Sequence, residues 1–231
     1  MHYQIILDEQ KFRQFIEWLP DLEPNEKFYC SLFARKKYCQ ELIKSNDKAQ
    51  LRRFLSDKER LYDKVKQLEV PLGAYRLGDR VAPQESLVLY INPNPRNLIR
   101  ASYDGIIKLT EMLKYQNQNF NPHAEIMSCI QRSQSRKLYL DFDIDDPEFD
   151  LRQLEGRINL DAVDVLQTRG GYHVLVRLDR VAEAYQKTFY RALTELDVDQ
   201  TGDQLLPVAG CTQGGFMPQF VERALKTNFS D

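Results

Sequence analysis

The sequence predicts an α+β fold, and three observations carry that prediction. Residues 137–146 alternate apolar and acidic side chains with a period of two, as a half-buried strand does. Residues 163–166 and 172–178 read as adjacent strands, and Gln167-Thr168-Arg169-Gly170-Gly171 between them is a hairpin signal. Elsewhere apolar residues recur at helical spacing, so helices and antiparallel hairpins share one chain.

With 231 residues and 42% hydrophobic content, the chain can build an ordinary globular core as one large domain or two small ones. A formal charge of -2 lacks the basic excess of a general nucleic-acid coat, so a nucleic-acid partner would need a local patch. No apolar run approaches the roughly 20 residues of a membrane span, and residues 1–6 lack a charged segment leading into a long apolar one. The expectation is a cytoplasmic protein with no membrane partner. The four cysteines (Cys30, Cys39, Cys129, Cys211) form no CxxC pair and only three histidines are present, so no structural zinc is expected.

In chain order, Asp8 can cap a helix with the stripe Phe12, Phe15, Ile16 and Leu19, which Pro20 ends. Residues 28–34 read as a strand that runs into Arg35, Lys36 and Lys37. From Asn46 to about Leu68 the spacing of Leu51, Leu55, Tyr62, Val65 and Leu68 predicts one charged amphipathic helix. Residues 87–91 return to strand, and Asn92-Pro93-Asn94-Pro95-Arg96 is a stiff turn expected to cap the next helix. That helix, about 98–115, carries Ile99, Ile106, Ile107, Leu109 and Leu113, and a second helix covers about 124–130. Beyond the acidic strand, residues 147–157 read as irregular or helical. A helix is predicted over about 181–196, with Tyr185, Phe189 and Leu193 on one stripe, and a strand at about 216–221. No Gly/Ser tract, repeat or low-complexity run marks a linker.

The chemistry concentrates in residues 137–146. Alternation sends Leu138, Leu140, Phe142 and Ile144 to one face and Tyr139, Asp141, Asp143 and Asp145 to the other. Asp141 and Asp143 then have Cα atoms about 7 Å apart, at about 3.3 Å per residue, and both carboxylates can reach one object. Unaided they repel, and one tends to keep its proton; a hard divalent cation such as Mg²⁺ or Mn²⁺ removes the conflict. The plainer reading is a solvated acidic face ending at Asp146-Pro147. An EF-hand loop begun at Asp141 would need Gly and Glu where the chain has Asp146 and Arg152. GxSxG and Walker-type loops are absent, and two acids on one strand face suit a metal cage better than a glycosidase pair. Metal-assisted chemistry on a phosphate substrate is the leading enzymatic class.

Three stretches in order carry a family resemblance. Leu140-Asp141-Phe142-Asp143 resembles the DxD strand motif of the archaeo-eukaryotic primase superfamily, Gly171-Tyr172-His173 its small-x-His motif, and Leu196-Asp197 its hydrophobic-Asp motif. The stretches Asp197 to Asp203 and Leu205 to Gly215 resemble the turn and the Leu/Pro/Gly segment that follow. The resemblance covers residues 137–221; residues 1–136 match only in supplying a mixed helix and strand unit. It implies a single catalytic domain, with an N-terminal α/β unit (1–136) packed on an RRM-like antiparallel unit (137–231) and the active site in the cleft between them. It also implies a DNA primase or primase-polymerase that joins nucleoside triphosphates on single-stranded DNA with two Mg²⁺ or Mn²⁺ ions. Asp141, Asp143 and Asp197 would hold the ions, and His173 would contact the nucleotide phosphates. Arg169 in the hairpin could bind phosphate through two hydrogen bonds, with Thr168 and Gly171 beside it.

The chain departs from the family where basic residues usually follow the third motif: Gln204, Thr212 and Gln213 are uncharged. The missing charge would come from Arg76, Arg96, Arg132, Arg136, Lys137 or Arg169. With no recognisable helicase or accessory domain in the sequence, a helicase or another replication, repair or mobile-element protein is the expected partner. The alternatives are a non-catalytic nucleic-acid or assembly module that kept this fold, and a metal-dependent nuclease.

Overall fold

The computed structural model describes residues 1–39, 48–114 and 121–221. Asp8 caps α1 (Glu9–Trp18), its carboxylate accepting from Lys11 N at 3.0 Å. The chain then enters β1 (Glu26–Arg35), which pairs antiparallel with β2 (Lys48–Ser56). After α2 (Lys58–Lys66) come a small hairpin, β3 (Arg76–Leu77) with β4 (Arg80–Val81), and then β5 (Leu87–Ile91) and β6 (Arg96–Asn97). Next are α3 (Leu98–Lys114) and α4 (Pro122–Arg132).

The second half contributes β7 (Tyr139–Ile144), β8 (Val163–Gln167), β9 (Tyr172–Arg177), α5 (Phe189–Thr194) and β10 (Gln200–Gly202). Two short strands end it, β11 (Leu206–Pro207) and β12 (Gln219–Phe220). The first sheet runs β11-β5-β1-β2, with β6 on the other end of β1, and the second runs β10-β7-β9-β8-β12. All the pairings are antiparallel, so the fold is α+β as the sequence predicts. The halves are not cleanly separate, because β11, from beyond residue 137, pairs with β5 of the first sheet.

The main core lies between the sheets. Phe28, Cys30, Leu32 and Ala34 of β1 meet Phe12 and Phe15 of α1 and Leu166 and Leu175 of the second sheet. Each fully buried phenylalanine there contributes on the order of 2 kcal/mol by leaving water. The far face of the second sheet, with Leu140, Phe142 and Ile144, packs on Phe189 and Leu193 of α5. A third cluster joins Tyr29 of β1 to Ala101 of α3 and to Met127 and Ile130 of α4. No described helix is long and apolar enough to cross a membrane.

Several sequence expectations change. The single helix from Asn46 to Leu68 is instead a strand and then a helix; Asn46 itself lies outside the described residues, as does Tyr115 at the end of the next predicted helix. Leu51 and Leu55 fit helical spacing, but β1 offers a ladder in which Phe54 pairs with Cys30 and Leu55 with Tyr29. Asp57 then begins α2 as a fresh N-cap, accepting from Arg60 N at 3.1 Å.

The helix expected over 181–196 shrinks to α5. Asn159 accepts from Ala182 N at 2.8 Å and donates to Arg180 O at 3.0 Å, which holds the approach in turns. The proline-rich turn does not cap α3; Asn97 does, accepting from Arg100 N at 2.9 Å. Asn94 within that turn fastens the sheets together instead. Its Oδ1 accepts from Leu138 N (2.8 Å) and Tyr139 N (2.9 Å), and its Nδ2 donates to Tyr139 O (2.9 Å).

Candidate active site

On β7 and β9, Asp143 stands opposite His173 and Asp141 opposite Leu175. Opposite residues of an antiparallel pair share a face, so both acids and the imidazole stand on the side turned to the first sheet. His173 is 6% exposed and Asp141 3%. The ring Nδ1–H donates to both Asp141 oxygens, at 2.9 and 3.0 Å, and Nε2 lies 3.5 Å from Asp143 Oδ1.

Electrostatics follow from that packing. Burial is the largest influence on His173 and pulls its pKa down. The charge and hydrogen bond of Asp141, with Asp143 and Asp145, outweigh it, and the imidazole titrates above its ordinary value. Burial, first, and the neighbouring Asp141, Asp145 and Asp199 push the Asp143 carboxyl up, against the pull of His173. Protonation of the imidazole adds positive charge between Asp141 and Asp143.

A cleft of about 720 Å³ opens above this floor, lined from both sheets. Asp143, His173, Asp145 and Thr168 reach it from the second sheet. Asp141 lies beneath the lining, held by His173. Asp145, just past the end of β7, lines the cleft beside Gly170.

The third acid is placed differently from the sequence expectation. Asp197 follows α5 with φ 39°, exposed and outside the cleft lining. Asp199 lines the cleft, because its N–H donates to Asp143 O at 2.9 Å as β10 joins β7. Val198-Asp199 is also a hydrophobic-Asp pair, and Val198 packs on the second core.

The hairpin residues divide in the same way. Thr168 lines the cleft and its hydroxyl donates to Gly171 O at 3.2 Å. Gly171 permits close strand packing: a Cβ there would lie 2.0 Å from Ile144 O. Arg169 is turned away from the lining; its guanidinium donates to Gly214 O and stacks 4.5 Å from the Tyr38 ring centroid.

Positive charge comes from the first sheet and the helices. Arg35, at the end of β1, donates to Tyr90 Oη at 2.7 Å, and Lys37 follows it at the rim. Their only sequence signal was a basic run at a strand exit. Arg132 and Arg96 line the other end, and Arg96, 1% exposed, pairs with Asp203 at 2.5 Å. Arg136 is held by Glu26 at 2.7 Å, Arg76 sits in the β3–β4 hairpin, and Lys137 lies outside the lining.

Among the described residues, no group of three or more His, Cys, Asp or Glu side chains is arranged to hold a metal ion. Asp143, Asp145 and Asp199 share the cleft without converging on one point. Their donor chemistry still suits a hard cation, being all carboxylate oxygen; burial first, and then the charges of Asp141, Asp145 and Asp199, raise the Asp143 pKa, and a cation would relieve that repulsion. Comparisons of the chain with protein families, curated proteins and solved structures found no match.

Proposed function

We propose that the chain is a metal-dependent nucleotidyltransferase of the primase or primase-polymerase type, acting on nucleoside triphosphates and single-stranded DNA. One observation carries the reading: Asp141, Asp143 and His173 meet across β7 and β9 on the floor of a cleft whose far wall bears Arg35 and Lys37. The primase resemblance of these stretches fits that neighbourhood, with Asp199 as the third acid.

In this reading Asp143 and Asp199, with Asp145 near them, hold Mg²⁺ or Mn²⁺. The ions supply charge neutralisation for the triphosphate and a lowered pKa for the attacking 3′-hydroxyl. Asp141 orients His173 and raises its pKa, which favours positive charge on the cleft floor. Arg35 and Lys37 bind and orient the phosphates from the opposite wall. A helicase or another replication, repair or mobile-element protein would bring the template.

The test incubates the protein with single-stranded DNA, labelled nucleotides and Mn²⁺. The expected outcome is nucleotide incorporation that Asp143→Asn reduces by about 100-fold or more, the scale of losing a principal electrostatic group. No product from the natural chain, or equal product from Asp143→Asn, overturns the reading. A non-catalytic module is the second reading, favoured by the complete engagement of Asp141 with His173. It gives no incorporation and retains template binding after substitution of Asp143.

A further inference from the structure

We infer that the end of the cleft formed by Asn92, Arg96, Gln134 and Gln204 is a recess that reads the polar edge of a nucleobase, separate from the phosphate end at Arg35 and Lys37. The inference rests on the nucleotidyltransferase reading and names what that cleft recognises. Four separate segments converge there: the exit of β5, β6, the residue after the α4 C-cap, and the approach to β11.

Each of the four residues has a buried polar atom with no hydrogen-bond partner among the described residues: Asn92 Oδ1, Arg96 Nε, Gln134 Nε2 and Gln204 Nε2. All four line the one cleft, and Asn92 and Arg96 are only 2% and 1% exposed. Leaving such groups unmade is costly, on the order of 1–3 kcal/mol each. Their concentration at one end of an open cleft marks a place where an incoming molecule supplies the partners.

The remaining bonds fix these groups in place. Asn92 Nδ2 donates to Gln204 O at 2.8 Å, which turns its Oδ1 into the acceptor left over. Arg96 Nη1 is taken by Asp203 at 2.5 Å, leaving Nε. Asp203 is held in turn by Asn94 Nδ2 at 3.1 Å.

Charge and donor pattern select the ligand class. Asp203 balances Arg96, so the buried groups of the recess carry no net charge, and Arg132 in the same lining stands exposed outside them. Their unpaired buried atoms are N–H donors on Arg96, Gln134 and Gln204 and one carbonyl acceptor on Asn92. A mixed donor and acceptor set matches a base edge, which carries both kinds of group. Phosphate oxygens would satisfy the donors and leave Asn92 Oδ1 facing another acceptor.

The experiment compares two probes by calorimetry in Mg²⁺ buffer: inorganic tripolyphosphate, which has no base, and each of ATP, GTP, CTP and UTP. The natural chain is expected to bind at least one nucleoside triphosphate about tenfold or more tighter than tripolyphosphate, the scale of one well-made polar contact. Gln134→Leu and Gln204→Leu should each remove most of that preference and leave tripolyphosphate affinity within about twofold, which also reports that the variants fold. Arg35→Ala should weaken both probes together. Equal affinity for all probes in the natural chain, or variants that lose tripolyphosphate and nucleotide binding equally, overturns the base recess and leaves the nucleotidyltransferase reading standing. Binding of neither probe overturns both.

Discussion

At the scale of single residues, the buried pair His173 and Asp141 sets the behaviour of the site. Folding raises the imidazole above its ordinary pKa of 6.5. The stabilisation is therefore complete below about pH 6.5 and is lost as the pH rises through the raised folded value. An NMR titration of His173 should show that elevated value in the natural chain and a fall in Asp141→Asn. The same substitution should cost about 3 kcal/mol at pH 6, because it leaves a buried imidazolium with one partner fewer. Asp143 has the same sign, since its carboxyl is also raised and its ionised form is costly at neutral pH. Asp143→Asn should therefore raise the unfolding midpoint at pH 7 while removing activity, a trade between stability and function. Gly171→Ala should lose about 3 kcal/mol in urea denaturation, because its methyl group would meet the backbone of β7. Much of this was legible in the sequence: the i, i+2 spacing of Asp141 and Asp143 and the glycine pair before His173 were in plain view. The bond between Asp141 and His173 was not, because strand register across 32 positions is a tertiary fact.

At the scale of elements, propensity and packing diverge most in β2 and α3. The β2 stretch carries helix-like spacing, and the open edge of β1 decides it. For α3 the sequence names the start, and the large apolar residues it singles out are mostly not the ones that face inward. Ile99, Ile106 and Leu113 are 50%, 62% and 69% exposed, whereas Ala101 and Gly105 face inward. Small residues win the inner face because α4 approaches closely: a Cβ on Gly105 would lie 2.6 Å from Ile126 Cδ1. Ile106→Lys is accordingly expected to change stability by no more than about 0.5 kcal/mol. Met127→Ala, on the buried α4 face, should cost about 3 kcal/mol. Urea denaturation of the two variants checks both values.

At the scale of the whole molecule, the two antiparallel sheets share the main hydrophobic core and are further fastened at polar points beside the cleft. Asn94 is the chief of these, fastening the proline-rich turn to the start of β7. Asn94→Ala should cost about 3 kcal/mol by stranding two backbone N–H groups, and it should lower activity by letting the acidic floor move against the basic wall. The sequence shows the α+β class and the acidic floor, but not the far wall. Arg35, Lys37 and Asn92 come from the ends of β1 and β5 and the turns just past them, whose placement against the second sheet no local pattern encodes. The central claim is that the cleft works with Asp143 and Asp199 as its principal lining acids, and the most direct measurement compares Asp199→Asn with Asp197→Asn in the Mn²⁺-dependent incorporation assay. The account expects Asp199→Asn to lose about 100-fold, as Asp143→Asn does, and Asp197→Asn to stay near the natural chain. Loss of activity in Asp197→Asn, with Asp199→Asn unaffected, would contradict it.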